Sequence, residues 1–214
     1  MIPPKYDLRA TPASGLHLIF ALHHGYGGIG NACTYSFAVF EEHGAVAAFV
    51  WQPPAPGAAK SVCPEIPQGV LSLSRMVAVP RIERQLNHIS KPLRRQMRVL
   101  IDRTRWPVLV TYSDEGQGHT GHVYKCSGWE KTTRKKYPYF EDEDGARRSS
   151  YSNGKAATGL RRAGTTWIQR WEHWICPQGH AAEYMQDFGW RREPIPGKVW
   201  RSGNQAYRWV QEAA

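Results

Sequence analysis

The sequence predicts a mixed α/β fold in which an antiparallel hairpin joins a strand–helix–strand–helix unit in one sheet. Three observations predict it. Two apolar runs flank a turn, an amphipathic helix separates two further strands, and the second of those strands ends in a polar turn that leads into a short helix.

The hairpin comes from Tyr35-Ser-Phe-Ala-Val-Phe and Ala45-Val-Ala-Ala-Phe-Val-Trp, with Glu41-Glu-His-Gly as the turn between them. Val70-Leu-Ser-Leu-Ser-Arg-Met-Val-Ala-Val alternates well enough for a third strand, stopped by Pro80. A helix follows, with Ser90 as N-cap and Pro92 in its first turn. Leu93, Met97, Leu100 and Ile101 share one face of it, and Arg94, Arg95 and Arg98 the other. Trp106-Pro-Val-Leu-Val-Thr-Tyr-Ser is a short apolar run bounded by polar residues, which reads as a buried strand. Gly116-Gln-Gly-His-Thr-Gly then leads into a short helix over residues 120–126, closed by Ser127 and Gly128. Neither GxGxxG nor GxxxxGK[ST] occurs, so a Rossmann site and a P-loop are both unsupported.

Composition divides the 214 residues into three textures. Residues 1–130 form the expected catalytic core. Residues 131–170 hold ten Lys or Arg against four acids, interleaved with Tyr137, Tyr139, Phe140, Tyr151 and Trp167. Such a segment can track phosphates and stack bases, or simply be a solvated face. Residues 171–214 carry five of the nine tryptophans, expected to pack on the core. The whole chain bears a formal charge of +10, with a pI near 9.6, which favours a polyanionic partner. No run of eighteen apolar residues suggests a membrane span, and the N-terminus lacks the pattern of a signal peptide. Cys33, Cys63, Cys126 and Cys176 are scattered without a CxxC pair and are expected as reduced thiols. His173, Cys176 and His180 lie close enough to suggest zinc, but no fourth ligand is evident. Nothing in the sequence specifies an oligomeric state.

The block from Leu109 to Trp129 is the most specific motif in the chain. Its Tyr112, Asp114, Gln117, His119, Gly121, Tyr124 and Trp129 form a strand ending in Tyr-x-Asp, a polar turn with His-x-Gly, then Tyr and a terminal Trp. This resembles the Mom-type DNA adenine-modification proteins of phages, within the GNAT acetyltransferase superfamily. Leu73-Ser-Arg75-Met, Asn87-His-Ile-Ser90 and Ala21-Leu-His23-His24 extend the resemblance over roughly residues 16–130. The usual acetyltransferase cradle, Gln/Arg-x-x-Gly-x-Gly/Ala, is replaced here by Arg84-Gln-Leu-Asn-His-Ile-Ser.

The resemblance implies a GNAT-like sheet and a transferase that adds an acyl- or carbamoylmethyl-type group to the exocyclic amine of adenine in DNA, protecting it from restriction. It implies acetyl-CoA or a related donor, with iron as a second possible cofactor, and work in the cytoplasm of a phage-infected bacterial host. Arg75, Arg84, Asn87, Ser90 and His119 are then candidate donor-binding residues, because a helix N-terminus offers free N–H groups to a pyrophosphate. Ser90 is also open to being only a cap. Asp114, Tyr124, His23, His24 and Ser90 are the catalytic candidates. Asp114 stands at a strand end, where it could orient an amine, accept its proton, or cap the next turn. Tyr124 would protonate the departing thiolate, or be a buried structural tyrosine. His23 and His24 would reach the reaction centre, with metal ligation open to them, and His119 and His122 are placed to polarise a carbonyl. Arg75 would hold an anionic group or pair with Asp114. The expected partner is double-stranded DNA with a flipped base. Arg134, Lys135, Lys136, Tyr137, Arg147, Arg148, Arg161 and Arg162 would contact it. The alternatives are an N-acetyltransferase on a small amine or RNA, and an inactive DNA-binding protein that blocks nucleases.

Overall fold

The computed structural model describes residues 7–24, 33–41, 44–79, 87–103, 106–148, 151–152, 155–156, 159–199 and 205–211. In chain order the first elements are β1 (Asp7–Ala10), α1 (His17–His23), β2 (Tyr35–Glu41), β3 (Gly44–Gln52), α2 (Pro56–Val62) and β4 (Val70–Ala78). Then come α3 (Asn87–Arg103), β5 (Val108–Asp114), α4 (His122–Cys126), β6 (Glu130–Glu141), β7 (Arg147–Arg148), β8 (Tyr151–Ser152) and β9 (Lys155–Ala156). The last are β10 (Arg161–Trp174), α5 (Ala181–Asp187), β11 (Trp190–Val199) and β12 (Gln205–Gln211). Eight strands form one sheet in the order β1-β2-β3-β4-β5-β10-β6-β7. Every pairing in it is antiparallel except β4 with β5, which α3 connects.

The hairpin stands where the apolar runs placed it, as β2 and β3. Strand β3 is buried on both faces. Phe49 and Trp51 join one cluster, beneath Leu93, Met97 and Leu100 of α3. Ala48 and Val50 join the other, with Ile19 and Phe20 of α1. A third cluster sets α2 and α5 over Val70, Val108 and Val110. Helices therefore cover both faces of the sheet, and each large apolar side chain taken from water contributes about 1.5–3 kcal/mol. Arg94, Arg95 and Arg98 are exposed on the opposite side of α3, as the periodicity required. No helix among the described residues is long and apolar enough to cross a membrane.

Three local expectations differ from the structure. Helix α3 starts at Asn87, so Ser90 is its fourth residue rather than its N-cap, and Pro92 lies inside it. Burial of Ile89 in the core draws that extra turn into the helix. Helix α4 starts at His122 because Gly121 has φ of 70° and breaks the turn before it. The basic segment is no separate insertion: β6 and β10 continue the sheet, and β10 pairs with β5 from Ile168↔Asp114 to Trp174↔Val108. Trp174, Trp190 and Trp209 lie against the cluster under α2 and α5, and β11 and β12 form a separate two-stranded ribbon.

The one parallel pairing is short. Strands β4 and β5 meet at only Val70↔Val108, Leu71↔Leu109 and Ser72↔Val110, then part. Just past that point Thr111 Oγ1 donates to the Leu73 carbonyl at 3.0 Å, so a side chain takes over where the backbone ladder stops. The opening lies at the C-terminal ends of both strands, where open α/β sheets place ligands.

The turn beside that opening depends on a missing side chain. A Cβ on Gly121 would fall 2.1 Å from Trp171 Cζ2, whose indole Nε1 is anchored to Ser113 Oγ at 2.9 Å. Gly121→Ala combines a left-handed backbone with an overpacked core, and should cost about 2–4 kcal/mol. Urea denaturation measures it; a loss below about 0.5 kcal/mol would contradict this packing.

Candidate active site

Parting of β4 and β5 leaves a cleft of about 530 Å³. Residues 73–78 form one wall, and Thr111, Tyr112, Asp114 and Ile168 another. The turn over residues 117–121 and the start of α4 close a third side, and His23 and His24 enter from α1. Asp114, Tyr124, His23, His24, Arg75 and His119 are thus brought together, although they span a hundred residues of sequence.

Tyr124 is buried between Trp129 and Trp171, with ring centroids at 6.0 and 5.8 Å. Burial pushes its phenol above the ordinary value, partly opposed by a hydrogen bond with Thr111. Tyr124 is therefore a neutral phenol across the physiological range. His24 is its complement. Burial, then Arg75 and His119, depress its imidazole to about 4, so it is neutral at pH 7.

Asp114 is engaged on both oxygens. Oδ1 accepts from Gly116 N at 2.9 Å and from the Thr166 hydroxyl. Oδ2 accepts from Arg147 Nη1 at 2.9 Å and Gln117 Nε2 at 3.4 Å. With about four acceptor positions on a carboxylate, this set leaves no room for a substrate proton. Of its readings, capping the next turn is the one the geometry realises, and Asp114 fastens that turn to β10 and β7. Its cation is Arg147, not Arg75. Arg147 also stacks on Tyr139 at 4.0 Å and is turned inward, which removes it from the expected DNA contacts. Arg75 faces the cleft beside His24, with Nη1 donating to the Ser74 carbonyl at 2.9 Å.

Ser90 is buried away from the cleft, and its carbonyl accepts from Ser127 Oγ at 3.4 Å. Asn87 opens α3, with its side chain outside the described residues, and Arg84 lies outside them altogether. Among the described residues no group of three His, Cys, Asp or Glu side chains is placed to hold a metal ion, so iron at His23 and His24 finds no ligand set. The zinc candidates are separately engaged: His173 Nδ1 with the Gly128 carbonyl at 2.9 Å and His180 Nδ1 with Glu183 at 2.8 Å.

Of the other expected DNA contacts, Lys135, Lys136 and Tyr137 are exposed along β6. Arg134 pairs with Glu115 at 2.6 Å and stacks on the exposed Trp167 at 4.1 Å. Arg161 pairs with Glu141 at 3.3 Å, Arg162 is exposed, and the Arg148 side chain is outside the described residues. Sequence reasoning missed Thr111 and Thr166, whose hydroxyls meet Leu73 and Asp114, 38 and 52 residues away.

The sequence profile of the Mom protein family matches residues 9–183. The chain belongs to the Mom protein family. No curated protein matches it. Solved structures similar to this Mom-family chain include the ribosomal-protein-S18-alanine N-acetyltransferase of Escherichia coli, at 11% identity and a TM-score of 0.52. That match covers 82% of this chain and 98% of the other. A polyamine N-acetyltransferase of Drosophila melanogaster also matches at TM-score 0.52 and 9% identity, over 80% of this chain and 100% of that one. The fold of this Mom-family chain is therefore the GNAT acetyltransferase fold.

Two predictions follow from the electrostatics. A double-mutant cycle of Asp114→Asn and Arg147→Gln should give a coupling energy of about 1–3 kcal/mol, and additive losses would dissolve the proposed fastening. The folded-state value of His24, about 4, lies below its ordinary 6.5. Stability from the neutral imidazole is therefore complete above pH 6.5 and lost as pH falls towards 4. His24→Gln should flatten the decline of Tm in that window; an unchanged decline would place the titration elsewhere.

Proposed function

We propose that the protein is a GNAT-type transferase that adds an acyl- or carbamoylmethyl-type group to the exocyclic amine of adenine in DNA. The observation that carries this reading is the pairing, in one cleft of a Mom-family chain, of a neutral phenol on Tyr124 with a neutral imidazole on His24. Transfer to an amine needs both: a group to take the nitrogen's proton and one to protonate the leaving atom.

An extended donor such as acetyl-CoA fits the cleft, because β4 is released from backbone pairing with β5 beyond Ser72 and offers an open strand edge. Bound there, it would supply an activated acyl group. Residues 73–76 would hold its arm, and the Arg75 guanidinium supplies positive charge beside it. His24 accepts the proton that the amine loses as the new bond to nitrogen forms. Tyr124 donates its phenolic proton to the departing sulfur, and Thr111 holds that hydroxyl in place.

The polyanion track lies along β6. Arg134, Lys135 and Lys136 are exposed in succession, and Tyr137 and Trp167 present aromatic faces among them. A duplex hides the adenine amine from any cleft of this depth, so the base must leave the stack to react. The product would resist restriction in a phage-infected cell.

Nucleosides digested from the DNA of expressing cells should contain an adenine of increased mass. Tyr124→Phe should cut its yield about 10²–10⁴-fold, the usual range for one positioned proton donor, while leaving Tm and DNA affinity intact. Unaltered nucleosides from cells holding folded protein and accessible DNA would overturn the reading. Acetylated small amines in their place would favour the N-acetyltransferase alternative.

A further inference from the structure

A second cavity, of about 300 Å³, lies on the α2 side of the sheet, between that helix and strands β5, β10 and β6. It has its own chemistry. Tyr112 and Tyr137 are among the exposed large hydrophobic side chains, at 37% and 47%, and both line it. Ile168 forms an apolar floor between them. Lys135 stands at the rim and makes no hydrogen bond or ion pair among the described residues.

The wall is held in advance. Arg170 donates to Ser61 Oγ at 3.0 Å and to Thr133 Oγ1 at 3.0 Å, and pairs with Glu172 at 2.7 Å. These contacts pin α2 to the sheet, so the cavity does not need its occupant in order to form. Gly57 and Ala58 keep the α2 side low, and a Cβ at Gly57 would meet nothing within 4 Å. Among the described residues no carboxylate lines the cavity, which disfavours a cationic amine such as a polyamine. Tyr112 and Ile168 also line the catalytic cleft, so the two spaces share a wall.

We infer that this cavity receives the extruded base of the DNA strand, stacked against Tyr137 and Tyr112, with Lys135 on the adjoining phosphate. The inference rests on the DNA-base reading above and adds where the acceptor sits. Flat, aromatic, uncharged and attached to an anion is the description of a nucleotide, and it is the description this lining selects. Burial keeps the Tyr112 phenol protonated, so it can both donate to and accept from a base edge. An amine reaching past Tyr112 and Ile168 enters the cleft that holds Tyr124 and His24.

The test uses the purified full chain and a duplex carrying 2-aminopurine opposite a mismatch, whose fluorescence reports a base leaving the stack. Wild-type protein should give a saturable change. Tyr137→Ala should weaken the binding that it reports about tenfold, as expected for one base–aromatic stack. Ala58→Leu, which fills the cavity from α2, should abolish the change. Anisotropy of an unmodified duplex should show Ala58→Leu binding within about threefold of wild type, because the track along β6 remains. No fluorescence change with wild type, or an equal change in both folded variants, would overturn the assignment. Nucleoside mass spectrometry on the same proteins separates the two ideas. A fluorescence change lost in the variants but no altered nucleoside supports the cavity and defeats the DNA-modification reading. Altered nucleosides at wild-type yield in both variants defeat the cavity alone.

Discussion

Everything in this molecule that looks chemical depends on two parallel strands that stop pairing. A parallel ladder is ordinarily buried and continuous, because each unmade backbone hydrogen bond in an apolar setting is costly. Here β4 and β5 share three residue pairs and then separate. The separation is tolerated because Thr111 answers the first released carbonyl and helices cap both faces. Without it the sheet would be closed, and Tyr124, His24 and Arg75 would have no common space.

The strand parting also explains why the turn after β5 is so heavily fastened. A strand that has lost one neighbour is held by the other, and β10 supplies that hold through Ile168↔Asp114 and the Thr166 hydroxyl. Asp114 gathers donors from the turn, β10 and β7 on a single buried carboxylate. Breaking one partner from such a group strands a buried charge, which is far more damaging than never having had the pair. A conspicuous acid beside a cleft can thus serve position rather than proton transfer.

Much of the core was legible in the sequence, and for local reasons. The hairpin, β4, α3 and β5 each announce themselves through apolar spacing within about ten residues, and the cleft falls in the block from Leu109 to Trp129 where the family motif was concentrated. The start of α3 was misread because a buried Ile89 outweighs the capping preference of Ser90. Strands β6 and β10 were hidden by composition: Lys and Arg at consecutive positions mask the two-residue period of a strand whose faces are largely solvated. The Arg147–Asp114 pair joins residues 33 apart across a strand reversal that no local pattern encodes. The 300 Å³ cavity likewise needs three strands and a helix in register before it exists.

Strand β6 has one further property. Among the described residues it meets β10 on one side only over most of its length, since β7 covers just Phe140 and Glu141. Such a free edge invites another chain to add a strand, and proteins that leave one open risk assembling edge to edge. In β6 the edge carries Arg134, Lys135 and Lys136, then Pro138, which has no N–H to offer. Two copies approaching along this edge meet like charge and an interrupted ladder. Those charges oppose edge-to-edge pairing of two copies, and neutralising them would weaken that opposition.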